Sequence, residues 1–103
     1  MRKAEVFVQG IRAGILEEIQ INSAYRFTYD ANYSGPPVSL TMPIKKRDYA
    51  FDRFPPFFEG ILPEGYNLDA LLRACKIDRD DLFSQILAVG ADTVGAITVL
   101  EIK

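Results

Sequence analysis

Phe57-Phe58-Glu59-Gly60-Ile61-Leu62-Pro63-Glu64-Gly65 divides the chain into a part that reads as sheet and a part that reads mostly as helix. Phe57, Phe58, Ile61 and Leu62 stand at i, i+1, i+4 and i+5, which gathers them on one face of a short helix and requires that face to be buried. Pro63 disfavours the α region at Leu62 and stops the helix, and Leu62-Pro63-Glu64-Gly65 suits a type I turn with Pro at i+1 and Gly at i+3. The chain reverses there and presents Tyr66.

Upstream, the β-forming runs Ala4 to Gln9 and Ile15 to Ile21 flank Gly10-Ile11-Arg12-Ala13-Gly14, which predicts a hairpin whose turn uses those glycines. After a turn at Asn22-Ser23-Ala24, Tyr25, Phe27 and Tyr29 alternate with Arg26, Thr28 and Asp30, the period-2 pattern of a half-buried strand. Val38, Leu40, Met42 and Ile44 alternate with Ser39, Thr41 and Pro43, which predicts a fourth strand ending at Pro43 or lying at an edge. Lys45 to Pro56 has no helical period and reads as a long connection. Within it, Lys45-Lys46-Arg47 is either a solvated charge run or a contact for an acidic partner or phosphate.

Downstream, Asn67 is an N-cap candidate, and Leu68, Leu71, Leu72 and Cys75 repeat at helical spacing, with Arg73 and Lys76 near the negative helix end. A third helix is predicted from a cap at Asp78, with Asp81 at N3, Ile77 stapled onto Leu82, and Leu82, Phe83, Ile86 and Leu87 as the buried stripe. Gly90 suits a left-handed C′ position, and Ala91 to Gly95 turns the chain into a last strand, Ala96 to Ile102. The reading is one α+β domain over residues 1–103, a mostly antiparallel five-stranded sheet with three short helices in the order β-β-β-β-α-α-α-β. Its expected core includes Phe57, Phe58, Ile61, Leu62, Leu72, Phe83 and Leu87.

Composition narrows the function classes. Of 103 residues, 49% are hydrophobic and 25% charged, an ordinary globular balance, and a net charge of −2 gives no footprint for direct nucleic-acid binding. A single cysteine excludes an internal disulfide, and with no histidine there is no Cys/His zinc site. No apolar run approaches the ~18 residues of a membrane span, and Met1-Arg2-Lys3 leads into an alternating strand, so no membrane partner and a cytoplasmic location are expected.

Catalytic machinery is thin. Nucleophilic catalysis lacks its usual histidine base, and Cys75 on an apolar stripe reads as a core thiol. Of the carboxylate pairs, Glu17/Glu18 lies on a strand where neighbours face opposite sides, Asp80/Asp81 belongs to a helix cap, and Glu59/Glu64 flanks the Pro63 turn. Gly90 to Ala96 runs from helix to strand, the reverse of a phosphate loop. No catalytic, cofactor-binding or metal residue is expected. Tyr66 can staple onto Leu71 or contact a partner, and a stapled ring can do both.

Gly10-Ile11-Arg12-Ala13-Gly14-Ile15-Leu16, Phe27-Thr28-Tyr29-Asp30, Ser39-Leu40-Thr41-Met42-Pro43-Ile44, Phe57 to Gly65, and Val89-Gly90-Ala91-Asp92-Thr93-Val94-Gly95-Ala96 together resemble the N-terminal subdomain of HipA-type serine/threonine kinases. The kinase body of that family, with its ATP loop, catalytic Asp and metal-binding Asp, is not among these residues, so no catalytic residue carries over. A free-standing copy of the subdomain is similar to the HipS-like antitoxins of tripartite HipBST systems. That resemblance implies an antitoxin without cofactor, docking on a shortened kinase toxin, HipT, in a ternary complex with HipB, a helix-turn-helix DNA-binding protein. It also implies that the kinase inactivates aminoacyl-tRNA synthetases. Tyr66 is then expected at the partner face, with Glu64, Gly65 and Asp92 beside it. The alternative is a non-catalytic subdomain of a longer or split HipA-like kinase, structural or activating. A subdomain separated from its kinase should keep an apolar patch rimmed by polar groups.

Overall fold

The structure, a computed structural model, describes residues 2–63, 65–90 and 96–102, and of Tyr66 the backbone only. Five strands, β1 (Lys3–Val8), β2 (Ile11–Gln20), β3 (Ala24–Tyr29), β4 (Asp48–Phe51) and β5 (Ile97–Glu101), and three helices, α1 (Pro56–Gly60), α2 (Gly65–Cys75) and α3 (Leu82–Val89), follow one another as β1-β2-β3-β4-α1-α2-α3-β5. The sheet order is β4-β3-β2-β1-β5, with every pairing antiparallel. The last strand thus returns beside the first, and the α+β class and element order agree with the sequence pattern.

The hairpin is tighter than the glycine spacing predicts. Gln9 and Gly10, both at positive φ (52° and 82°), form its whole turn, and β2 begins at Ile11. Gly14 lies inside β2 because a Cβ there would meet the Thr28 carbonyl oxygen at 2.1 Å, so this glycine serves strand approach. Val6 pairs with Gly14 but Phe7 with Arg12, so Ala13 is the extra residue of a bulge, and Ala13 and Gly14 are consecutively buried.

The fourth strand is displaced from the predicted one. Residues 38–44 form an irregular loop with one isolated bridge, Ser39 to Met42; Val38 and Met42 are buried, but Leu40 is 94% exposed. The loop is held by side chains: the Tyr29 hydroxyl donates to the Met42 carbonyl and accepts from the Val38 amide at 2.9 Å. Burial raises the Tyr29 pKa, consistent with a hydroxyl that stays protonated and can donate. Pro36, Pro37 and Pro43 remove ladder donors around this segment. The strand forms instead at Asp48–Phe51, where Tyr49 and Phe51 alternate with Asp48 and Ala50. Arg47 is also no free charge: its guanidinium bonds the carbonyls of Asp30 (3.2 Å) and Tyr33 (2.8 Å) and closes the loop onto β3.

One face of the sheet is covered by the helices. Ala4, Val6, Val8, Leu16, Phe27 and Val99 are buried there with Phe58, Phe83 and Ile86. Rings of β3 receive the helical half: Phe27 meets Phe58 of α1 at 6.0 Å, and Tyr25 stacks on Phe83 of α3 at 6.4 Å and meets Phe54 edge-on at 5.3 Å. α1 ends in tightened bonds, Ile61 N–H to Phe58 O and Leu62 N–H to Glu59 O. Phe58 and Leu62 are buried, and Phe57 and Ile61 are half-buried against the core.

Two caps differ from the predicted ones. α2 starts at Gly65, so Asn67 lies within it; it ends in a left-handed Lys76 (φ 55°), with the Ile77 N–H bonded to Leu72 O as a 6→1 closure. Asp81, not Asp78, caps α3, accepting from the Ser84 amide at 3.1 Å; Leu82 becomes the first helical residue, out of reach of the staple. Gly90 is right-handed (φ −60°), and a Cβ there would lie 2.1 Å from the Val99 carbonyl oxygen. Its value is contact with β5 rather than a turn.

Candidate partner interface

The chain leaves α1 through Pro63, passes Gly65 at φ +59°, and enters α2 at once. Gly65 is exposed, and its positive φ is a conformation few other residues adopt without strain. Tyr66 is the second residue of α2, not the residue before the cap, so the staple position no longer applies to it. Its side chain lies outside the described residues, as do Glu64 and Asp92, two of its expected neighbours.

α2 itself is the least covered element of this region. Leu68, Leu71 and Leu72 are half-buried and Cys75 is exposed, so the stripe predicted as core is only partly covered. The cause is placement, since α2 meets α3 while α3 and β5 close on the sheet. Cys75 is consequently a surface thiol. Asp69 is held by Arg79 at 2.6 Å, tying α2 to the α2–α3 link. Phe83 is fully buried, and Leu87 is half-buried against the core.

Between β2 and α3 lies a polar network that no local pattern announces. Arg2, just before β1, joins two further elements: its guanidinium bonds both oxygens of Glu18 on β2 (2.8 Å each), the α3 cap Asp81 (2.9 Å) and the Ser84 hydroxyl of α3 (2.6 Å), and lies 5.0 Å from the Phe83 ring centre. Glu18 is 2% exposed and also accepts from the Asn22 amide at 3.2 Å. The Arg2 hydrogen bonds hold the Glu18 carboxyl below its ordinary range against the opposing effect of burial. Burial likewise pushes Asp81 up, but the bonds from Arg2 and Ser84 outweigh it and leave the carboxyl lowered. Arg2 is correspondingly raised, by the Glu18 bond first. The network is fully satisfied, and its arrangement ties the first strand's approach to α3.

Neither Glu17/Glu18 nor Asp80/Asp81 forms an acid–base couple, and the Glu59/Glu64 pair reaches outside the described residues at Glu64. Glu17 turns to Lys3 (3.8 Å) while Glu18 turns inward to Arg2, Asp80 is exposed while Asp81 caps α3, and Glu59 is exposed. No cluster of metal-ligating side chains occurs among the described residues, and no helix among them is long and apolar enough to cross a membrane.

These features coincide with a known module. Residues 4–100 match the family described as the HipA N-terminal domain. The chain therefore belongs to the HipA N-terminal domain family. Among its relatives is an uncharacterized protein of Haemophilus influenzae, 31% identical over 103 residues, covering 100% of this chain and 95% of that protein. A serine/threonine-protein kinase toxin HipA of Shewanella oneidensis is 34% identical over 74 residues, or 72% of this chain and 17% of the kinase. A solved structure described as the N-terminal domain of HipA toxin superposes with a TM-score of 0.79 at 28% identity, over 100% of this chain and 94% of that one. The similarity reaches the N-terminal domain of HipA and not its kinase body.

Proposed function

We propose that this protein is an antitoxin that binds a separately encoded HipA-like serine/threonine kinase toxin, of the HipT kind, and inhibits it at the side where a fused N-terminal domain would sit. The observation that carries the reading is the span of the similarity: the HipA N-terminal domain family covers residues 4–100, and a relative in Haemophilus influenzae is matched over 95% of its length by this domain. Catalysis is not required of such a protein. Inhibition needs only tighter binding to an inactive kinase state, or occlusion of the nucleotide or substrate site, and the shift is bounded by the difference in affinity. A HipB-like helix-turn-helix protein completes the complex and supplies the DNA contact, in keeping with this chain's net charge of −2. The exposed thiol of Cys75 suits a reducing cytoplasm.

Tyr66, with Gly65, Glu64 and Asp92 beside it, is the proposed anchor, since the positive φ at Gly65 sets the direction in which the chain enters α2. Tyr66→Ala should weaken neutralisation and co-purification with the kinase while leaving the circular dichroism and urea midpoint unchanged. Undiminished neutralisation by a folded Tyr66→Ala protein would remove the residue from the interface.

A second reading rests on the match to the Shewanella oneidensis kinase toxin, of which the aligned region is 17%. In that reading the domain is a structural or activating part of a longer or split kinase. It separates from the first by sign: an activating half raises phosphorylation when added in trans, and an antitoxin lowers it.

A further inference from the structure

The two edges of the sheet are finished differently. Bonds from Gln9 N–H to Ala96 O and from Ile102 N–H to Lys3 O set the β1–β5 alternation, which turns the Val99 main chain away from β1. The end of α3 lies against it there, with Gly90 close enough to Val99 O that no Cβ fits. At the opposite edge, β4 has no second neighbour among the described residues. Tyr29 N–H bonds Arg47 O at 2.8 Å, and Phe27 and Tyr25 pair with Tyr49 and Phe51. The same alternation therefore points the Ala50 N–H and C=O outward, flanked by those of Asp48 and Asp52.

Beside this open edge is an apolar cavity of about 270 Å³, lined mainly by Met42, Tyr49, Phe51, Pro55, Pro56 and Phe57. Charge at the start of the edge is one-sided. Lys45 is exposed, Lys46 lies 5.1 Å over the Tyr49 ring, and neither has an ion pair among the described residues. The carboxylate of β4, Asp48, is within the field of Lys46 but is hydrogen-bonded by Arg26 at 2.8 Å and by the Thr28 hydroxyl at 2.9 Å. A second copy of this chain is a poor occupant, because antiparallel pairing of two β4 strands about Ala50 would set Asp48 opposite Asp52 and Arg47 opposite Arg53, like charge against like.

We infer that β4 accepts an extended segment of a partner protein as an added antiparallel strand. That segment carries one large apolar side chain for the cavity and acidic residues C-terminal to it, which fall over Lys45 and Lys46. Main-chain bonds to Ala50 supply affinity, and the cavity and lysines supply specificity. The inference does not require the partner to be a kinase.

The test uses the whole chain and a fluorescein-labelled nine-residue peptide with a central leucine, alternating threonine and valine flanks, and three acidic residues at its C-terminal end. A second peptide ends in three lysines. Anisotropy should show binding of the acidic peptide and little of the basic one. Ala50→Pro removes an outward N–H without touching the ladder to β3, and should lower affinity at least about tenfold with an unchanged circular dichroism spectrum. Equal affinity in a folded Ala50→Pro protein overturns strand addition, as does failure of the wild type to bind the acidic peptide. Self-association of the free chain that Ala50→Pro abolishes, without peptide binding, assigns the edge to a second copy and overturns the inference. If Ala50→Pro does not fold, the pair Lys45→Glu and Lys46→Glu decides: preference must move to the lysine-ended peptide, and an unchanged preference is contrary.

Discussion

Glu18 carries a charge at 2% exposure, held by the Arg2 guanidinium and the Asn22 amide. Its folded pKa is lowered from the ordinary value of 4.5, as is that of Asp81 from 3.8. For a lowered carboxylate the contribution to stability is fully present above the unfolded value and is lost as pH falls through the folded one. Urea unfolding should therefore give constant stability from neutral pH down to about 4.5 as far as this network is concerned, then a decline on further acidification. Glu18→Gln should lose roughly 2 kcal/mol at pH 7, less than a fully buried pair because Arg2 reaches solvent, and should show a shallower acid limb. The two close-approach glycines offer a second check at this scale. Gly14→Ala places a Cβ 2.1 Å from backbone oxygen, which flexible side chains cannot relieve, and should destabilise by about 1–3 kcal/mol in the same assay.

Among elements, the contrast is between α1, which is short and anchored, and α2, which is longer and half-covered. Phe58 is buried against Phe27, and Phe58→Ala should cost ~3–5 kcal/mol. Leu71 of α2 is half-buried, so Leu71→Ala should cost only about 1 kcal/mol by the same urea measurement. A cost at Leu71 equal to that at Phe58 would mean that α2 is part of the core. Element types were legible wherever one face is continuously buried: Tyr25, Phe27 and Tyr29 marked β3, and Phe57 to Leu62 marked α1. β4 was hidden because four residues show only two alternations, while Val38 to Ile44 offered a longer false one. There the deciding contacts come from the hydroxyl of Tyr29, about ten residues earlier in the chain. Caps failed for a related reason, since Asp78 and Asp81 are chemically equal candidates and Arg2, some eighty residues away, bonds Asp81. The Arg2 network was illegible in any local window. Of the proposed partner residues, the fold describes only Gly65, exposed and left-handed at the start of α2, and the Tyr66 backbone, while Glu64, at the centre of the expected turn, and Asp92 lie outside the described residues.

As a whole, the molecule has a radius of gyration of 13.2 Å, matching the ~13 Å of a self-contained domain of about a hundred residues. It has its own core, and it belongs to a family in which a HipA kinase toxin aligns with it over 17% of that kinase's length. That combination, a domain able to fold around its own core and a half-covered α2 behind the Gly65 turn, underlies the proposal that it acts on a kinase from outside. The most direct measurement is expression of this chain beside a separately encoded HipA-like kinase from the same source, scoring growth, co-purification and kinase-dependent phosphorylation together. The account predicts restored growth, a stable complex and reduced phosphorylation. Growth that stays arrested, or phosphorylation that rises when the chain is added, would contradict it.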